Sequence, residues 1–209
     1  MGLLRALGLG KDPHVLWMIE AFGARPGEIV VDRLYQEPPS CHVWRGEAHG
    51  VPVTFYTEAR NRYLGASGVY LGKAGPQFME GISEYRCYFY RPSKAPTLSV
   101  DDSRWAEVVR KAMGDPEWTS TFPEEAFELG VGVGRFAMEL DCPLDARPVF
   151  AHLDALRGLL GSMSDAVARV YLYAAGVGVG FTAERLTKEK LLADVKVGSD
   201  ILRVASAMS

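Results

Sequence analysis

The pentapeptide Gly-Val-Gly-Val-Gly occurs twice in this chain, at positions 130–134 and 176–180. Read onward, each copy fits the dinucleotide-loop pattern G-x-G-x-x-A, ending at Ala137 and Ala183. Such a loop needs its glycines at a strand-to-helix turn, so that backbone amides meet a pyrophosphate at the helix start. It also needs a further strand that ends in Asp or Glu about 20 residues later. The first copy runs into Arg135-Phe136-Ala137-Met138-Glu139-Leu140, which keeps alternating as a strand does. The second precedes a helical pattern, and no further strand is foreseen before Ser209. Both copies are therefore read as strand.

On that reading side chains alternate between two faces. Phe127, Leu129, Val131 and Val133 oppose Gly130, Gly132 and Gly134. Tyr171, Tyr173, Val177, Val179 and Phe181 oppose Gly176, Gly178 and Gly180. A row of strand glycines forfeits packing and signals a close approach to the backbone. Internal packing is the leading expectation, from a helix or an aromatic side chain lying across the gap. The sharper alternative is a flat ligand or a partner surface in a glycine-floored slot, which makes Gly130, Gly132, Gly134, Gly176, Gly178 and Gly180 candidate ligand-binding residues.

Other motifs fail when counted. In GVYLGKAG, residues 68–75, Gly68 lies one position too close to Gly72-Lys73 for a phosphate loop. Ala74 also replaces the hydroxyl that would hold magnesium. Cys41 and His42 alternate to opposite faces and His49 follows at a turn, so no metal site is expected. Gly65-Ala66-Ser67-Gly68 lacks the spacing of a nucleophile elbow. Asp101 and Asp102, just before an apolar helical stripe, read as caps rather than paired catalytic acids. Arg86, Tyr88 and Tyr90 share one face of a strand and form a candidate interaction face, and over the strand region Arg60, Arg62, Arg86 and Arg91 are interleaved with Tyr56, Tyr63, Tyr88 and Tyr90. Such a face can stack single-stranded nucleic acid, but Glu58, Glu80 and Glu84 accompany it on an acidic chain. Nucleic acid is accordingly disfavoured.

The elements that position these residues can be read in order. Asp12-Pro13 opens a helix with Val15, Ile19 and Phe22 on one side and Gly23 at its end. Strands follow from 28 to about 91, including a hairpin that turns at His49-Gly50 and the strand Ile82-Ser83-Glu84-Tyr85-Arg86-Cys87-Tyr88-Phe89-Tyr90. Residues 64–81, with five glycines, suggest a loop or an irregular strand. Beyond 101 come helix 102–113, strand 126–140, helix 148–160, strand 167–181 and helix 187–207. Val149, Leu153, Leu156 and Leu160 face inward from one helix, and Leu191, Val195, Leu202 and Ala205 from the last.

This order predicts an α+β fold, a mainly antiparallel sheet with helices packed on it. One domain spans 1–209, with a helical segment at 1–24, mostly strands at 25–100 and alternating elements at 101–209. The glycine copies lie 46 positions apart and each precedes a helix, which suggests a degenerate strand-helix duplication in the C-terminal half.

At 209 residues the chain buries a full core without a metal or disulfide. Its 48% hydrophobic and 23% charged residues are ordinary for a packed protein, and a net charge of -3 gives no footprint for polyanions. Cys41, Cys87 and Cys142 are odd in number and scattered, which reads as reduced thiols in a cytoplasmic protein. No stretch has the ~20 apolar residues of a membrane span. No catalytic set survives, and no cofactor is implied. The expectation is a non-enzymatic protein-interaction or assembly module that binds a protein partner or its own copy. The alternative is a small-molecule or nucleotide-binding domain, with or without catalysis, using the glycine slot.

Overall fold

A computed structural model describes residues 13–31, 40–60, 63–72, 85–94, 98–99, 103, 131–139, 147–173 and 176–207. Within them the fold is α+β: one mainly antiparallel sheet with helices packed on it.

Helix α1, Pro13–Phe22, buries Val15, Met18 and Phe22 and ends where Gly23 takes φ +59°. Strand β1, Arg25–Val31, pairs with β2, Ser40–Ala48, which turns back into β3, Val51–Arg60. That hairpin reverses at His49 (φ 52°) and Gly50 (φ 75°), two left-handed residues as a type I′ turn requires. Strand β4, Tyr63–Gly72, continues the meander beside β3. Of the two expectations for residues 64–81 the strand holds as far as Gly72: Gly65, Gly68 and Gly72 weaken strand propensity, yet pairing on both sides keeps β4 in the sheet, with a register shift opposite Thr57 and Ala59. Residues 73–81 lie outside the described residues.

Strand β5, Tyr85–Tyr90, and the two-residue β6, Leu98–Ser99, come next. The strand expected over 126–140 is instead interrupted. Strands β7, Val131–Val133, and β8, Phe136–Glu139, form a hairpin turning at Gly134, whose φ is +62°. Glycine at the first turn position is what a type II′ reversal needs. The expected single helix 148–160 is divided at His152 into α2, Arg147–Ala151, and α3, Leu153–Ser162. The expected strand 167–181 is also a hairpin: β9, Val167–Tyr173, and β10, Gly176–Phe181. A 3-10 turn at Ala183–Arg185 leads to α4, Lys188–Ser206, capped by the Thr187 hydroxyl, which accepts from the Lys190 amide at 3.3 Å. Apart from Ser103, the expected helix 102–113 lies outside the described residues.

Strand order is β1-β2-β3-β4-β10-β9-β5-β8-β7-β6, and only the β6–β7 pair is parallel among the described strands. The C-terminal hairpin therefore stands in the middle of the sheet. One sheet face meets the helices: Phe55, Val69, Leu71, Cys87, Phe89, Val170, Leu172, Val177 and Val179 are fully enclosed there with Met18, Leu156 and Val195. Helix α4 lies so close that a Cβ on Gly198 would overlap Leu71 Cδ1. The helix-interior glycine that weakens α4 locally thus gives it room against β4 and β10. Ile201 is fully buried in α4 while Leu202 is half-buried, which turns the expected stripe by one residue.

The two glycine pentapeptides take different parts. The second lies wholly in β10, whereas the first includes a hairpin turn; Gly130 is outside the described residues. Neither stands at a strand-to-helix bend: β8 follows the one, and the 3-10 turn separates the other from α4.

Candidate functional site

The sheet face opposite the described helices is set by the β9–β10 hairpin. Tyr173 pairs with Gly176, Tyr171 with Gly178 and Arg169 with Gly180. Residues opposed across a ladder point the same way, so the two tyrosines stand on the glycine face. The valines expected beside them, Val177 and Val179, point into the core. A reversal that opposes Tyr173 to Gly176 exchanges odd for even positions. Reading the segment as one strand therefore places the tyrosines on the wrong side.

Most of the space over these glycines is filled. A Cβ on Gly176 would overlap the Tyr70 hydroxyl and come within 2.7 Å of the Leu71 carbonyl oxygen. On Gly178 it would meet Tyr173 at 3.2 Å and Tyr171 at 3.5 Å. On Gly180 its nearest neighbour would be Arg169 Cβ at 3.8 Å. Rings thus cover the first two glycines, and the third is half-exposed.

These rings join in a continuous tile across β4, β10, β9 and β5. Centroid separations are 5.6 Å for Tyr70–Tyr173, 6.2 Å for Tyr173–Tyr171, 5.5 Å for Tyr171–Tyr88 and 5.7 Å for Tyr88–Tyr90. Such spacing suits tilted aromatic pairs. Tyr88, Tyr90, Tyr171 and Tyr173 are half-exposed, whereas Tyr70 is buried and its hydroxyl is pushed above the ordinary tyrosine range by that burial. Arg169 is exposed, and its Nη1 donates to the Tyr171 hydroxyl at 3.4 Å.

Of the expected interaction face, Tyr88 and Tyr90 sit in this tile. Arg86 falls at a ladder irregularity, because Tyr85 pairs with Tyr173 and Cys87 with Leu172, leaving one residue extra. Of the candidate ligand glycines, Gly176, Gly178 and Gly180 floor the tile. Gly132 pairs with Ala137 in the other hairpin, and Gly134 forms its turn, with three strands between β7 and β10. The two glycine sets are not brought together. Sequence reasoning missed Tyr70, Tyr171, Tyr173 and Arg169; the alternation Arg169, Tyr171, Tyr173 against Val170 and Leu172 carries the signal, provided the hairpin is recognised.

A second polar cluster pins the entry to β9. Asp194, fully enclosed on α4, accepts the Ser164 amide at 2.8 Å and the Ser164 hydroxyl at 2.6 Å. Arg91, at the end of β5, donates from Nε to the Val167 carbonyl and from Nη2 to the Ser164 carbonyl, each at 2.6 Å. Its guanidinium also lies 4.7 Å from the Phe136 ring centroid. Lys190 pairs with Asp165 at 2.7 Å. Burial pushes the Asp194 carboxyl up, against the Ser164 hydrogen bonds and the charges of Arg91 and Lys190, which pull it down. Both carboxylate oxygens are engaged by one residue of the same loop. The arrangement holds backbone in place.

Of the segment read as a near miss to a phosphate loop, Gly68–Gly72 belongs to β4 and is paired within the sheet, and residues 73–75 lie outside the described residues. Among the described residues no three His, Cys, Asp or Glu side chains gather as metal ligands. Asp101 and Asp102 lie outside the described residues. No described helix is long and apolar enough to cross a membrane. No protein-family model, curated protein or solved structure matches the chain.

Proposed function

We propose that this chain is a non-enzymatic protein-interaction module whose working surface is the tyrosine tile. The observation that supports it is the join of five tyrosines from β4, β9 and β5 over the glycines of β10, four of them half-exposed, on the sheet face opposite the described helices. Tyrosine brings large contact area and a hydroxyl at little cost in side-chain entropy. Protein interfaces are enriched in such residues at their centres, with polar rims. Here exposed Arg25, Arg45, Glu47 and Arg169 supply charge on that face.

Affinity capture from native lysate, followed by reconstitution with the purified partner, tests the reading. Tyrosine hot spots cost on the order of 2 kcal/mol when truncated. The double variant Tyr88→Ala/Tyr171→Ala should therefore weaken the reconstituted complex at least ~10-fold while keeping its circular dichroism. A partner held equally well by the double variant, or no partner at all, overturns the reading.

A further inference from the structure

The tyrosine tile is one end of a straight cross-strand row. Arg25 pairs with Arg45, Arg45 with Thr54, Thr54 with Tyr70, Tyr70 with Gly178, Gly178 with Tyr171 and Tyr171 with Tyr88. The row crosses seven neighbouring strands, β1-β2-β3-β4-β10-β9-β5. Its far end places two arginines directly opposite each other. Both are exposed. Among the described residues neither makes an ion pair, and Glu47, two residues along β2, bridges to neither. Like charges facing each other across a ladder are destabilising. This pair is thus a local cost within a row that otherwise pairs uncharged residues.

Resting on the interaction reading above, we infer that the partner is a protein bearing an acidic segment, with carboxylates that settle on Arg25 and Arg45 while an adjoining apolar or aromatic part covers the tyrosines. Guanidinium groups bind carboxylates with directional, charge-assisted hydrogen bonds. A bound carboxylate would also relieve the repulsion between the arginines. Four strand steps separate Arg45 from Tyr171, roughly 19 Å at ~4.8 Å per strand. An extended peptide covers that distance in about six residues at ~3.3 Å each. The row therefore specifies both a charge and a spacing.

Fluorescence anisotropy with synthetic peptides measures this directly. One probe carries Glu-Glu and, about six residues on, Trp-Leu, joined by Gly and Ser. A second has Lys-Lys in place of Glu-Glu, and a third has the two parts adjacent. Single-stranded oligothymidylate is the fourth probe. The spaced acidic peptide should bind, the basic and adjacent versions should bind at least ~10-fold more weakly, and salt should weaken the acidic complex by screening. Arg25→Glu should reduce its affinity by ~10-fold or more, yet raise the melting temperature, because a carboxylate at that position would face Arg45 as an opposite charge. That pair of changes separates recognition from a merely structural arginine.

Equal binding of both signs, or acidic binding that survives Arg25→Glu, overturns the inference. Oligothymidylate bound in preference to the acidic peptide overturns it in favour of a nucleic-acid surface. A cellular partner that needs Tyr88 and Tyr171 but tolerates Arg25→Glu sinks the acidic assignment and leaves the interaction reading standing.

Discussion

At the level of single residues, the three glycines of β10 stand in three different environments, and alanine should report them in order. Gly176→Ala meets the Tyr70 ring and the backbone oxygen of Leu71, so it should cost on the order of 2–3 kcal/mol. Gly178→Ala presses on Tyr173 and should cost less. Gly180→Ala finds ordinary contact distance, and the gain in strand propensity should leave it within ~0.5 kcal/mol of wild type or slightly more stable. Urea denaturation of the three variants checks the ranking. A Gly176→Ala protein as stable as Gly180→Ala would contradict the position of the Tyr70 ring. Asp194 gives a second prediction. Its folded-state carboxyl is raised by burial, so between the unfolded pKa and the raised folded one the native state binds more protons. Its contribution must then decline as pH rises through that interval. Asn keeps an acceptor for the Ser164 amide and a donor toward its hydroxyl without the charge. The stability of Asp194→Asn relative to wild type should therefore improve on going from about pH 4 upward, as read by urea midpoints at each pH. A relative decline would mean that the hydrogen bonds to the ionised form outweigh its burial.

The elements differ in how plainly the sequence announces them. Helix α4 has a Thr187 cap, a regular apolar stripe and a length that dominates local noise, so its limits are readable to within a residue. Thr187→Ala should cost about 1 kcal/mol, measurable by thermal denaturation. The β2–β3 hairpin is equally plain, because His49-Gly50 interrupts two alternating runs. Strand β4 is obscured by its glycines, whose company in the sheet is supplied by β3 and β10 and is invisible locally. Two hairpins read as single strands for a different reason. Gly134-Arg135 and Ala174-Ala175 lack the Asn-Gly or Asp-Gly signature of a tight reversal. Hydrophobic alternation runs straight through the second, and across the first it shifts by only one residue, from Val131 and Val133 to Phe136 and Met138. Each error of that kind reverses the faces of everything on one side of the turn. The α+β class survives these misreadings because it depends on the kinds of element present. The tyrosine tile does not, because it depends on which way each strand points.

On the scale of the whole molecule, the sheet is assembled from two parts of the chain that meet late. Strands β1 to β4 form a meander, and β5 to β8 lie on the other side of β9. The hairpin β9–β10 joins them, pairing β10 with β4 and β9 with β5. Pairings so distant in sequence slow folding, and refolding followed by tyrosine fluorescence should lie in the millisecond-to-second range typical of such topologies. Microsecond completion would be incompatible with this order.

While the chain is being synthesised, β4 and β5 wait as bare edges until residues 167–181 leave the ribosome. At roughly 5–20 residues per second, the interval from Tyr90 to Phe181 lasts on the order of five to twenty seconds. During that time each unfinished rim can template a neighbouring nascent chain. The keystone hairpin thus makes the yield of folded protein a matter of timing as much as of final stability.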